Sequence, residues 1–577
     1  MDKVTSGALM ARTLFLLSVL GLTAMAQPAP TPDATTLLTD SELHAKVDEL
    51  FESYDSTISP GCAVAVINDG QVVYKRGYGM ANLDHDIPIR PETVFHVASI
   101  SKQFTAAAIV LLAQEGKLKL DDEVRKYVPE LPDFGVPISI RHLIHHTSGL
   151  RDQWSLLGLA GWRYALDLIT DQDVLDVMSA QKELNFKPGE KHTYSNTGYT
   201  LLAQIVKRVS GKSLRDFTVE RIFRPLGMND THFRDDHAEI VKQMAYGYER
   251  GKGEGEFKLS ITNFDTAGAT SLLTTVEDLA RWDQNFYEPK VGGTALIQQM
   301  LQRGKLDSGK VLDYASGLVH GTYRGATTID HGGADAGYRA DLLRFPDHRF
   351  SAACLCNLAQ TNPGTLTRAI ADIYLAGALK EPKRAPAANA TSTVVLTPRQ
   401  LAQFAGLYWN QEEESGWKVA LEDTKLSLLL GPDQSYEMQP LAASRFRLAG
   451  PPIEIEFRRG STDDPLTLVA KADGSSEERV LEAATEFEPT RAELSDYVGV
   501  YRSDELEPVY RIGVQDGALI LKRLKHQPDK LAPMITDYFG SSIGSIHFMR
   551  GSSGQVAGFV LNAGRIRGLK FKRSTTR

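Results

Sequence analysis

The register of an internal repeat constrains this chain more than any single motif. "TPRQLAQFAGLYWN" begins at Thr397 and "TRAELSDYVGVYRS" at Thr490. Leu401, Phe404, Gly406 and Tyr408 correspond to Leu494, Tyr497, Gly499 and Tyr501 at a constant offset of 93, and Asp423 and Leu426 to Asp516 and Leu519 at the same offset. "FRRG" from Phe457 and "FMRG" from Phe548 match at 91. A register held over half a unit means two copies of one small domain. Each copy shows short alternating runs and few helical ones, the pattern of a small antiparallel β-barrel. Residues 397–486 and 487–577 are therefore expected to be two barrels.

What precedes them reads differently. "KEPKRAPAANATSTVV" is Pro- and Ala-rich, a linker over 380–396. Residues 43–379 mix strands and helices. "GCAVAVINDGQVVYKRGYG" reads as two strands around the turn Asn68-Asp69-Gly70. "GYTLLAQIVKRVSGKS" reads as a helix closed by Gly211. Strand-like runs return at "TTIDHGG", "ADLLRFPD" and "RFSAACLCNL". Strands at both ends with helices between predict one α+β domain whose sheet is assembled from distant pieces and packed by a helical cluster. The barrels are expected to fold independently of this domain and to narrow access to its site.

The N-terminus carries a targeting pattern. Lys3 and Arg12 precede the apolar run Leu14–Leu22, and Ala24-Met25-Ala26 offers a small-x-small cleavage site before Gln27. Residues 1–26 are expected to be a signal peptide and 27–42 a Pro-rich tether. The protein is expected to be exported, periplasmic or secreted, with no integral membrane segment in the mature chain, since a span needs about 20 apolar residues. With a net charge of -8 and no basic run, nucleic acid is not an expected partner. Cys62, Cys354 and Cys356 read as small buried hydrophobes rather than a disulfide framework, because cysteines two apart on one strand bridge poorly.

Three short segments carry chemistry. Ser99 and Lys102 stand one turn apart at the mouth of an apolar helix, "HVASISKQFTAAAIVLLAQEG". Helix N-termini favour developing negative charge, and a lysine against Phe104, Ala106, Ala107 and Ile109 loses hydration, which lowers its pKa toward that of a usable base. Tyr194, Ser195 and Asn196 follow a Pro-Gly turn and precede a helix. His331-Gly332-Gly333 interrupts a strand, where glycines let another backbone or a ligand approach. Each pattern alone is weak; Ser-x-x-Lys also occurs at Ser179–Lys182 and Ser415–Lys418. His142, His145 and His146 have a metal-like spacing but no neighbouring carboxylate in sequence. No metal and no cofactor is expected.

Order, spacing and flanking structure together resemble the penicillin-binding and serine β-lactamase superfamily, in its class C β-lactamase, D-aminopeptidase and esterase-like branch. "RHLIHHTSGL" and "GATSLLTTVEDLARW" also resemble recurring segments of that branch, and the barrels resemble those appended to D-aminopeptidase-like members. The resemblance implies an antiparallel sheet flanked by helices. It implies a Ser99 nucleophile whose proton is handled by Lys102 and Tyr194, and an Asn196 that binds substrate or orients Lys102. An oxyanion hole would form from the N–H groups of Ser99 and Ala334. His331, Gly332 and Gly333 would line the substrate. Many members carry a lysine where His331 stands. A mostly neutral histidine favours esters, amides or peptides with a free amino end over penicillins. The expected function is hydrolysis of an amide or ester bond in a small-molecule or peptide substrate. The alternatives are a penicillin-recognising sensor that acylates without turnover, and a domain that merely presents glycan-binding barrels. The sequence does not set the oligomeric state.

Overall fold

The computed structural model describes residues 38–253, 255–381, 394–431, 434–461, 464–472 and 478–574. The expected signal peptide, most of the expected tether and most of the expected linker lie outside these residues.

Six antiparallel strands form the main sheet, in the order Val319–Tyr323, Ala326–Asp335, Tyr338–Phe345, Phe350–Cys356, Cys62–Asn68 and Gln71–Tyr78. The N-terminal hairpin thus completes a sheet begun some 250 residues later in the chain, as the distribution of strand-like runs predicts. Its innermost strands are buried on both faces. Val64 and Val66 pack with Val47, Phe51, Ile370 and Ala371 from the helices Asp40–Leu50 and Pro363–Tyr374. Ala63 and Ala65 face the opposite way, into the helical cluster around Ile109 and Leu112. This alternation sets the register, since a one-residue slip would exchange the two cores.

The cysteines depart from expectation. Cys62 stands directly opposite Cys356 across two paired strands, and the two form a disulfide. The pairing joins sequence-distant strands, so comparing only the neighbours Cys354 and Cys356 could not reveal it. Cys354 stays a buried free thiol, its Sγ 3.5 Å from that of Cys356.

Both repeats close into eight-stranded barrels. The repeated residues serve the same ends in each. Thr397 with Gln400 and Thr490 with Glu493 form capping boxes that start a short helix. The Tyr408 and Tyr501 hydroxyls donate to the carbonyls of Phe404 and Tyr497, at 2.9 and 2.7 Å. Asp423 and Asp516 hold left-handed turns, with φ of 52° and 51°.

The barrels do not share one relation to the first domain. The first has a core of its own around Leu426, Phe446 and Phe457. The interior of the second is continuous with the core of the catalytic-like domain. The Tyr510 hydroxyl donates to the Leu159 carbonyl at 2.9 Å. Arg151 donates to Glu505 at 2.5 Å, their side chains only 1% and 5% exposed, with Gln181 also accepting from Arg151 at 2.9 Å. A buried ion pair and an apolar seam thus tie the second barrel to the first domain. No helix among the described residues is long and apolar enough to cross a membrane.

Candidate active site

Ser99 lies in the 3-10 turn Ala98–Ile100, which feeds the helix Ser101–Gln114. Ala98 just before it has φ 47°, a conformation alanine adopts only under constraint. Further non-glycine residues in this left-handed region cluster nearby: His146 against Tyr194, Ser271 beside the Ala269 segment, and Ala336 after the glycine-interrupted strand. These four lie where the three sequence segments meet.

Lys102 is the hub. Twelve residues of its helix are buried, Lys102 wholly so. Its Nζ lies 3.1 Å from Ser99 Oγ, 2.9 Å from Asn196 Oδ1 and 2.6 Å from the Ala269 carbonyl. Burial pulls its pKa down to about 7; Arg565 pushes the same way, while Asp152 and Asp335 oppose. The neutral amine can donate to Asn196 and Ala269 and turn its lone pair toward the Ser99 hydroxyl. The ordinary lysine pKa of about 10.4 would leave only a few molecules in ten thousand neutral at pH 7, against about half here.

Asn196 begins the helix Asn196–Ser210. Its backbone N–H and its Nδ2 both donate to Asp152 Oδ2, at 2.8 and 2.9 Å. A carboxylate accepts only, so the amide oxygen must face Lys102. Asp152 also caps the helix Gln153–Leu159. The sequence did not single this residue out.

Tyr194 closes the group. Lys102 Nζ sits 4.9 Å from its ring centroid. Burial holds the phenol above its ordinary pKa, although Ser99 and Arg565 pull it down. Tyr194 is therefore a protonated O–H at neutral pH, and Lys102 is the group poised to accept. Its Oη is buried, with no hydrogen-bond partner among the described residues.

The strand Ala326–Asp335 is paired by Val319–Tyr323 only as far as Asp330. Its edge from His331 to Asp335 is free of that neighbour and runs against the nucleophile turn. A Cβ on Gly333 would meet the Val97 carbonyl oxygen at 2.3 Å, so Gly333 permits the close approach that the sequence suggested. Gly332 has room to spare and is exposed, as is Ala334.

Both ring nitrogens of His331 are engaged within the protein. Its Nδ1 faces the Gly332 carbonyl at 2.7 Å, which makes Nδ1 the donor, and Nε2 then accepts from Tyr314 Oη at 3.2 Å. Burial, then the Lys102 charge, pushes its pKa down to about 4. It belongs to an aromatic cluster with Tyr314, Tyr194 and His146, their rings tilted or edge-on to one another. His146 packs on the Tyr194 ring with centroids 4.2 Å apart and accepts from Ser195 N–H at 3.2 Å. Of the histidines at 142, 145 and 146, His146 thus walls Tyr194, and the three are not among the described groups arranged to hold a metal.

One functional candidate had no signal in the sequence. Arg565 comes from the second barrel, on the turn between the strands Val556–Ala563 and Ile566–Arg573. Its guanidinium carbon lies 4.8 Å from the Tyr194 ring centroid and its Nη1 3.4 Å from Asp152 Oδ2. The side chain is 45% exposed. Arg344, on the strand Tyr338–Phe345, is sealed against Asp283.

A family model described as "Beta-lactamase" matches residues 47–377. The penicillin-binding protein 4* of Bacillus subtilis (strain 168) is 30% identical over 453 residues, covering 75% of this chain and 97% of that protein. A D-aminopeptidase of Gluconobacter oxydans (strain 621H) is 27% identical over 452 residues, covering 78% and 80%. The octameric penicillin-binding protein homologue from Pyrococcus abyssi superposes with a TM-score of 0.54 at 25% identity, covering 77% of this chain and all of that one.

Proposed function

Because the chain belongs to the β-lactamase family, we propose that it is an exported serine hydrolase that cleaves amide or ester bonds through an acyl-enzyme on Ser99. The observation that carries this reading is the position of Lys102 Nζ, 3.1 Å from Ser99 Oγ with a pKa near 7. Neutral Lys102 takes the Ser99 proton as Oγ attacks the carbonyl carbon. The oxyanion is met by the N–H groups of Ser99 and Ala334, where each donor contributes ~3 kcal/mol. The proton then reaches the leaving group through Lys102 and the Tyr194 O–H, and water releases the acyl group by the reverse path. Asn196, fixed by Asp152, holds Lys102 in place.

The likeness to a D-aminopeptidase and a penicillin-binding protein supports amides and peptides as substrates. His331 stays neutral, as expected of it, but Arg565 supplies a cation at the site from another domain. The preferred substrate accordingly places an anionic group near Arg565. The leader pattern supports export, and a disulfide is at home in an oxidising compartment.

Turnover separates a hydrolase from a sensor. p-Nitrophenyl acetate, D-amino-acid p-nitroanilides and nitrocefin should show multiple turnovers on at least one member of the panel. A single stoichiometric burst on every substrate would favour the sensor.

A further inference from the structure

A groove of about 1050 Å³ lies where the two barrels and the Tyr194 loop meet. Pockets for small ligands run to roughly 300–1,000 Å³, so this one accommodates a stretch of chain. One wall comes from the first barrel, Glu412–Lys418, and another from Lys530–Met534 of the second. Near the catalytic site the lining is Lys191, Gly564, Arg567 and Gly568. Lys191 stands three residues before Tyr194. Gly564 and Arg567 flank Arg565. The turn that reaches the Tyr194 ring with one residue therefore walls the groove with its neighbours, and the two spaces share a partition.

The charges in the groove are unevenly satisfied. Glu486 holds Lys418 and Glu413 holds Arg479, each at 2.5 Å. Glu414 accepts from Tyr538 at 3.1 Å. Lys191 and Lys530 have no ionic or hydrogen-bonding partner among the described residues, and Arg567 spends Nη1 on two carbonyls of its own turn. Glu412 likewise has no partner among the described residues, and Glu414 keeps its charge because its donor is a neutral phenol, so three cations face two anions. The balance is positive and lies toward the catalytic end. Between the charges run apolar surfaces from Trp417, Pro533, Met534 and Val560. One face of Trp417 is covered by Arg479, 4.5 Å from its ring centroid.

Building on the hydrolase reading, we propose that this groove binds the remote part of the substrate: an extended acidic peptide segment whose scissile bond lies at Ser99. Carboxylates along the segment meet Arg567, Lys191 and Lys530 in place of water, and its backbone and apolar side chains lie on Trp417 and Met534. Remote contacts of this kind can be spent on positioning the reacting bond.

The test uses the full chain carrying Ser99→Ala, so that nothing is consumed. A fluorescein-labelled hexapeptide of alternating D-glutamate and alanine is titrated by fluorescence anisotropy, beside the same peptide with glutamine for glutamate and a neutral glucan hexasaccharide. The acidic peptide should bind at least tenfold more tightly than the glutamine peptide, and more weakly as salt rises. Lys530→Glu should weaken it at least fivefold and Lys530→Gln by less, while both variants keep the wild-type melting temperature. Equal affinity for the two peptides, preferential binding of the glucan, or indifference to Lys530→Glu in a folded protein would overturn the proposal. Turnover of p-nitrophenyl acetate by the wild-type chain is read separately. If it proceeds while the peptide does not bind, the groove assignment alone fails; if it is absent, the hydrolase reading fails.

Discussion

Replacing Arg565 with glutamine should move the pH dependence of acylation upward. Lys102 Nζ and the Arg565 guanidinium lie 4.9 and 4.8 Å from the same Tyr194 ring centroid, so they are no more than about 10 Å apart. Two unit charges at ~10 Å repel by about 0.4 kcal/mol in bulk water and about 1.7 kcal/mol at an effective dielectric of ~20. At about 1.36 kcal/mol per pH unit, losing that repulsion raises the Lys102 pKa by roughly 0.3–1.2 units. The neutral fraction at pH 7 falls roughly 1.5- to 8-fold, and the deficit vanishes above about pH 9. The assay is kcat/KM for p-nitrophenyl acetate from pH 5 to 10 at low ionic strength, because this ratio reports the free enzyme. The wild-type limb should have its midpoint near 7, where burial places Lys102. Asp152→Asn should shift the midpoint the other way, since that carboxylate favours the lysine cation. A midpoint that does not move in either variant, or moves the same way in both, refutes the assignment of the limb to Lys102. A deficit in Arg565→Gln that persists at pH 10 would show that Arg565 acts through geometry rather than charge.

Three further outcomes follow from other parts of the structure. Arg151→Ala leaves Glu505 buried without its cation and should cost about 3–5 kcal/mol; the pair Arg151→Met with Glu505→Leu should melt higher than the single variant in calorimetry, and the reverse order would contradict a desolvated ion pair. Cys62–Cys356 closes a loop with a sequence separation of 294, so replacing both by alanine should cost ~2–5 kcal/mol; alkylation of the unfolded, unreduced mature protein should modify one thiol, and three would refute the bridge. Burial raises the pKa of Asp341 to about 7, above its unfolded value, so its contribution to stability is fully present below about pH 4 and lost as pH rises through 7. Asp341→Asn should therefore raise the melting temperature relative to wild type more at pH 8 than at pH 5; an equal effect at both would mean the carboxyl is ionised throughout.

What the sequence disclosed and withheld divides by the range of the interaction. Ser99 and Lys102 were legible because a helix makes three residues of separation into one face, and the structure brings them within hydrogen-bond distance. Both barrels were legible because the same capping threonines and left-handed aspartates recur in register. The Cys62–Cys356 bridge depends on which strands are neighbours, and local periodicity carries no such information. Asp152 carried no signal, because its anchoring of Asn196 is a contact that spans 44 residues. His331 looked like a substrate group because its strand position did; its hydrogen bond to Tyr314 turns it into packing. Arg565 was invisible for the strongest reason. It reaches Asp152 across 413 residues from a domain with no catalytic pattern of its own.

Intact-protein mass spectrometry of the nucleophile bears most directly on the central claim. The mature chain is mixed with a fluorophosphonate probe, digested, and the modified peptide sequenced. The account predicts one equivalent of label on Ser99, none in Ser99→Ala, and labelling of wild type that accelerates from pH 6 to pH 8 as Lys102 loses its proton. Label on another residue, or undiminished labelling of Ser99→Ala, would contradict it.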